Sequence, residues 1–104
     1  MIIVMGHAQL GPNEFDRLQP EMRTQVAATN AEDGCLLYSF SRDVADPDRL
    51  MINERWRDQA AIDAHFVTPH MATFNAVIGA AKVLGIDIKS YNLATGEVKQ
   101  LIGG

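Results

Sequence analysis

The chain has little of what most catalytic or anchoring motifs require. It holds one cysteine, one tryptophan, three histidines and four prolines in 104 residues. A single cysteine forms no internal disulfide, a usage expected of a reducing cytoplasm. No Cys-x-x-Cys or His-x-x-x-His spacing occurs, and the histidines are dispersed, so no metal site is expected. There is no glycine-rich phosphate loop and no Gly-x-Ser-x-Gly elbow. Nothing approaches the ~20 apolar residues needed to span a bilayer, and no basic block marks nucleic acid or an anionic membrane as a partner. The opening MIIVMGHAQL lacks a basic region before its apolar run and a small-residue cleavage site, so it is read as part of the fold and not as a signal peptide.

What is present describes a globular chain. An apolar content of 47% and a net charge of -4 are ordinary for a folded protein. The length suits one domain over residues 1–104, burying roughly 65% of the unfolded surface. A deep pocket is hard to enclose with so short a chain, which favours a homodimer that shares burial.

Residues 2–10 are β-branched or apolar on both parities until His7 and Gln9, as expected of a central strand covered on two sides. Gly11-Pro12-Asn13-Glu14 then opens a helix whose Phe15, Leu18, Met22 and Val26 form an apolar stripe, in phase through Pro20. Residues 35–42 alternate as a strand, with Leu36, Tyr38 and Phe40 on one side. A polar turn at 43–48 makes a hairpin with the next strand, which sets Leu50, Ile52, Glu54 and Trp56 on one face and Met51, Asn53 and Arg55 on the other. Asp58 offers a cap, Ala61, Ile62, His65 and Phe66 share a helical face, and Thr68-Pro69 restarts a helix carrying Met71, Phe74 and Ile78 inward, with Gly85 as its stop. Residues 86–91 alternate as a last main strand. The segment 93–104 is a tail expected to lie on a partner subunit or fray. The order β-α-β-β-α-β is that of an α+β, ferredoxin-like split β-α-β fold, a four-stranded antiparallel sheet with helices on one face.

The stretch Glu54-Arg55-Trp56-Arg57-Asp58, with Ala60-Ala61, His65, Thr68-Pro69-His70 and Phe74, resembles the antibiotic biosynthesis monooxygenase (ABM) family, especially its small quinol-monooxygenase-like members. The resemblance extends through Glu32-Asp33-Gly34-Cys35-Leu36-Leu37-Tyr38 and covers nearly the whole chain. It implies two sheets meeting as a dimeric α/β barrel, and cofactor-independent oxygenation of a quinol, hydroxylated aromatic or polyketide-like molecule by dioxygen. Haem-degrading members, an isomerase and members without an assigned reaction leave other activities open.

Such chemistry needs a flat apolar slot, a proton acceptor and a donor for the developing oxyanion. Trp56, Phe66 and Phe74 are the candidate walls. His65 is the first choice of base, since imidazole titrates near ~6.5, with His7 and His70 behind it. Tyr38 or Asn53 could donate to the oxyanion. Each has a packing alternative: Trp56 as a core anchor, Tyr38 as a packed aromatic, His65 as a brace of the helix break. Glu54, Arg55 and Arg57 read as solvated or interface ion pairs. A non-enzymatic binding or structural dimer therefore stands beside the oxygenase.

Overall fold

The computed structural model describes residues 1–104. Its elements in chain order are β1 (Ile2–Leu10), α1 (Glu14–Asn30), β2 (Cys35–Arg42), β3 (Arg49–Trp56), α2 (Gln59–Phe66), α3 (Pro69–Ala80), β4 (Val83–Asn92) and β5 (Val98–Gly103). The strands form one antiparallel sheet in the order β2-β3-β1-β4-β5, a ferredoxin-like α+β arrangement with three helices. β1 is central, its Val4 paired with Glu54 on one side and Ser90 on the other.

The sheet has five strands, not four. The tail does not fray, because Val98–Gly103 pairs with β4 and satisfies backbone groups that an edge would leave open. Two further expectations shift. α3 ends at Ala80 and β4 begins at Val83, so Gly85 lies inside a strand and stops nothing. Leu36 does not share a face with Tyr38: the β2–β3 register slips between Cys35 and Leu37, leaving Leu36 exposed and Cys35 against the core. A one-residue bulge reverses the parity of everything before it.

Alternation places Ile2, Val4, Ala8 and Leu10 of β1 and Leu50, Ile52, Glu54 and Trp56 of β3 beneath the helices. Phe15, Leu18 and Met22 of α1, Ile62 of α2 and Phe74 of α3 close the core above them. α1 runs unbroken through Pro20, and its buried stripe continues into two polar residues, Gln25 and Thr29. Both helices after β3 start as their sequences require: Asp58 accepts from the Ala61 amide at 2.9 Å, and Thr68 Oγ1 accepts from the Met71 amide at 3.3 Å ahead of Pro69. No helix is long and apolar enough to cross a membrane.

Candidate active site

Between the sheet and the helices lies a cavity of about 90 Å³. Seventeen of its twenty lining residues are apolar or aromatic; the exceptions are Glu54, His65 and Asn75. A nearly apolar hollow with three titratable groups on its wall, Tyr38, Glu54 and His65, is where chemistry is expected, because all three are removed from water. Val4, Ala8, Ile52 and Ile88 supply the sheet side, and Met71 and Phe74 cover it from α3. Phe40 stacks on Phe74 with ring centres 5.7 Å apart, and Phe66 lies at the margin, 44% exposed.

His65 reaches the wall from the last turn of α2 and is buried. Three aromatic rings surround it, Trp56 at 4.8 Å and Tyr38 and Phe66 both at 5.6 Å. Its Nδ1 lies 2.7 Å from Glu32 Oε2, and His70 Nε2 lies 2.8 Å from the same oxygen. A carboxylate that accepts a hydrogen bond at Nδ1 fixes the neutral ring as the Nδ1–H tautomer. Nε2 is then the ring's free acceptor. The same three residues are the only histidine and acid cluster with metal-donor atoms close together, all within 4.8 Å.

Glu54 is the second titratable group. Burial lifts its carboxyl from 4.5 to about 7; the Trp56 indole N–H, donating to Oε1 at 2.9 Å, opposes that rise, and the nearby Glu32 charge adds to it. Near neutral pH it therefore holds a proton much of the time. Burial, reinforced by the Glu54 charge, pushes the Tyr38 phenol above its ordinary range, so it stays neutral, with a proton to donate and no capacity to act as a base. Gln25 Nε2 stands 3.5 Å from the Tyr38 oxygen and 3.4 Å from Met71 sulfur, while Gln25 Oε1 and Thr29 Oγ1 are buried without partners. The Cys35 thiol is raised to about 11 by burial and then by Glu32 and Glu54, and is inert at neutral pH.

The candidate residues from the sequence separate into three places. His65, Tyr38, Phe66 and Phe74 meet at the cavity. Trp56 is fully buried behind it and walls nothing; it packs on His65 and holds Glu54. His70 shares Glu32 with His65, its ring centre 6.1 Å from that of His65, and lines an outer groove between α1 and α3. His7 and Asn53 lie on the opposite face of the sheet, in a shallow groove with Met5, Met51, Asp87 and Tyr91, because strand parity turns them away from the helices. They share no site with His65. Glu54 is no surface ion pair, and Glu32, which the family resemblance includes, has no periodicity or spacing that assigns it a role. The inward parity of Glu54 beside Ile52 and Trp56 was the signal that could have found it.

The fold and this cavity define a class: a ferredoxin-like α+β domain with a small apolar chamber, a tautomer-fixed histidine and a proton-holding glutamate. Sequence comparison makes the assignment specific. Residues 1–77 match the family model described as "Antibiotic biosynthesis monooxygenase", and the chain belongs to that family. It is 32% identical over 78 residues to a Mycobacterium tuberculosis protein named "Putative monooxygenase Rv0793", covering 75% of this chain and 76% of that one. It is 29% identical over 93 residues to an uncharacterized Synechocystis protein, covering 89% of this chain but 63% of the relative's length. A Deinococcus radiodurans crystal structure, described as "a putative antibiotic biosynthesis monooxygenase", superposes with a TM-score of 0.82 at 27% identity, over 99% of this chain and 100% of that one.

Proposed function

We propose that the protein is a monooxygenase of a small hydroxylated aromatic, of the quinol type, that needs no bound cofactor. The carrying observation is His65, buried on the cavity wall with Nδ1 engaged by Glu32 and Nε2 free to accept a proton. The substrate hydroxyl gives its proton to Nε2. The electron-rich anion then supplies electrons to dioxygen, and a carbon–oxygen bond forms to give a hydroperoxide. Loss of water, with a proton returned to the departing oxygen by Glu54 or by His65, leaves a hydroxyquinone. Quinol plus dioxygen thus becomes hydroxyquinone plus water, and the substrate itself supplies all the reducing electrons. Tyr38, held neutral, donates to the ring oxygen as charge builds there.

Volume bounds the guest. A dry cavity of about 150 Å³ takes one benzene ring, and the present 90 Å³ falls short of that. One ring enters if marginal side chains such as Phe66 and Ile102, 44% and 39% exposed, swing outward. A fused polyketide or a haem does not fit without far larger opening, since pockets for ligands of that size run from about 300 Å³ upward. The small volume also favours a second reading, a binding or structural protein whose core is close to filled. The open sheet face, with Met5 49% exposed beside Met51 and Tyr91, supports self-association as a homodimer.

Oxygen uptake with reduced naphthoquinones and single-ring quinols tests the reading, in the parent, His65→Ala and Glu54→Gln. Turnover that falls in both variants supports it. Full activity in His65→Ala, or no uptake from any quinol, removes it and leaves the binding protein.

A further inference from the structure

We infer that Glu32, His65 and His70 form a binding site for one divalent transition-metal ion of the zinc type. The three donor atoms, Glu32 Oε2, His65 Nδ1 and His70 Nε2, lie within 4.8 Å of one another. Two imidazoles and one carboxylate are a donor set that holds zinc or its first-row neighbours while leaving further positions open to water. Magnesium and calcium prefer sets made wholly of oxygen. The donors come from the turn after α1, the last turn of α2 and the first turn of α3, so the tertiary fold assembles them.

No lysine or arginine pairs with the carboxylate. Both of its side-chain hydrogen bonds run from imidazoles and fall on Oε2, so the three donor atoms already converge on one point, and Oε1 takes no side-chain hydrogen bond. A groove lined by Glu32, Asp33, Arg57, Ala60, Ala64 and Thr68 opens beside it, where the Arg57 guanidinium is paired with Asp33 at 3.3 Å, leaving a path for an ion and its waters. Ligand distances of about 2.0–2.2 Å require the two nitrogens to draw together from their present span. His70 is the partner with room to move, its side chain 24% exposed against 3% for His65.

Occupation changes the chemistry of the pair. A neutral imidazole that binds metal through Nδ1 carries its proton on Nε2. The ion therefore turns the free acceptor of His65 into a donor and silences the base. This consequence rests on the oxygenase reading; the binding does not.

Calorimetric titration of the full chain with zinc chloride, and visible absorption on adding cobalt(II), test the site in the parent, Glu32→Gln, His70→Ala and His7→Ala. One ion per chain is expected in the parent and in His7→Ala, with a cobalt ligand-field band. Affinity should drop in Glu32→Gln and His70→Ala by more than the roughly 10- to 100-fold that loss of a supporting group alone costs, while circular dichroism shows both still folded. No saturable binding by the parent, unchanged affinity in the two cluster variants, or equal loss in His7→Ala overturns the assignment. Zinc that binds as expected to a chain without quinol oxidation leaves the site standing and the oxygenase reading fallen. Uptake of oxygen by a chain that binds no zinc does the opposite: the oxygenase stands and the metal site falls.

Discussion

The two faces of one sheet treat the same side-chain types in opposite ways. Beneath the helices, Glu54 is stripped of water and its carboxyl rises to about 7. On the open face, Asp87 is held below its ordinary value by the Gln100 amide and the Lys89 ammonium. His65 sits among three rings with one nitrogen fixed by Glu32, whereas His7 lies in a shallow groove opposite Met51 and Asp87 in register. Strand parity assigns each residue to a face. Helix cover decides whether that residue becomes a reagent or a solvated surface group.

The contrast is sharpest in rate. His65→Ala should lower quinol-dependent oxygen uptake by about 10²- to 10⁴-fold, the usual contribution of a positioned acid–base group, and His7→Ala should leave it within about twofold of the parent. Equal losses would dissolve the distinction between the faces. Stability comes next. Trp56→Ala removes a fully buried indole, and urea denaturation should show a loss of about 3–5 kcal/mol; Met5→Ala, half-exposed on the other face, should cost under about 0.5 kcal/mol and act instead on self-association seen by sedimentation.

Glu54 gives the comparison a pH axis. Its carboxyl is raised in the fold, so the native state keeps a proton that the unfolded chain releases between pH 4.5 and about 7. The stability this confers is present in full below pH 4.5 and is lost as pH rises through about 7. Glu54→Gln should abolish that slope and gain about 3 kcal/mol above neutrality, measured by denaturation across pH. A parent whose stability stays flat across that range would refute the buried-acid description. Smaller still is Gly34→Ala. Gly34 has φ +83°, and an added Cβ would come within 2.6 Å of the Ala61 Cβ; a loss of about 1–2 kcal/mol is expected in thermal unfolding.

Local pattern carried much of the fold. β1 at residues 2–10, β2 at 35–42 and the cap pair Thr68-Pro69 all follow from periodicity and capping within a few residues. β5 escaped notice because its Lys99, Gln100 and exposed Val98 carry no clear alternation, and its existence depends on a free edge of β4. The bulge at Leu36 escaped because a slip of one residue leaves composition unchanged. In the site, His65 stands out by its place on an apolar helical stripe. Its partner Glu32 is 33 positions away, and no local period links them. Glu54 was the avoidable error: its parity already pointed inward, and charge alone suggested the surface.

The interruption between Phe66 and Pro69 has a use beyond ending one helix and starting another. Along a continuous helix, residues 65 and 70 would project about 140° apart, and one oxygen could hardly serve both. The break acts as a swivel joint that lets two imidazoles from different axes grip a common point. Adding or deleting a single residue at positions 67–68 should turn the following helix by about 100°, unlatching His70 and carrying Met71 and Phe74 away from the chamber in the same motion, so one joint sets both the cluster and the hollow.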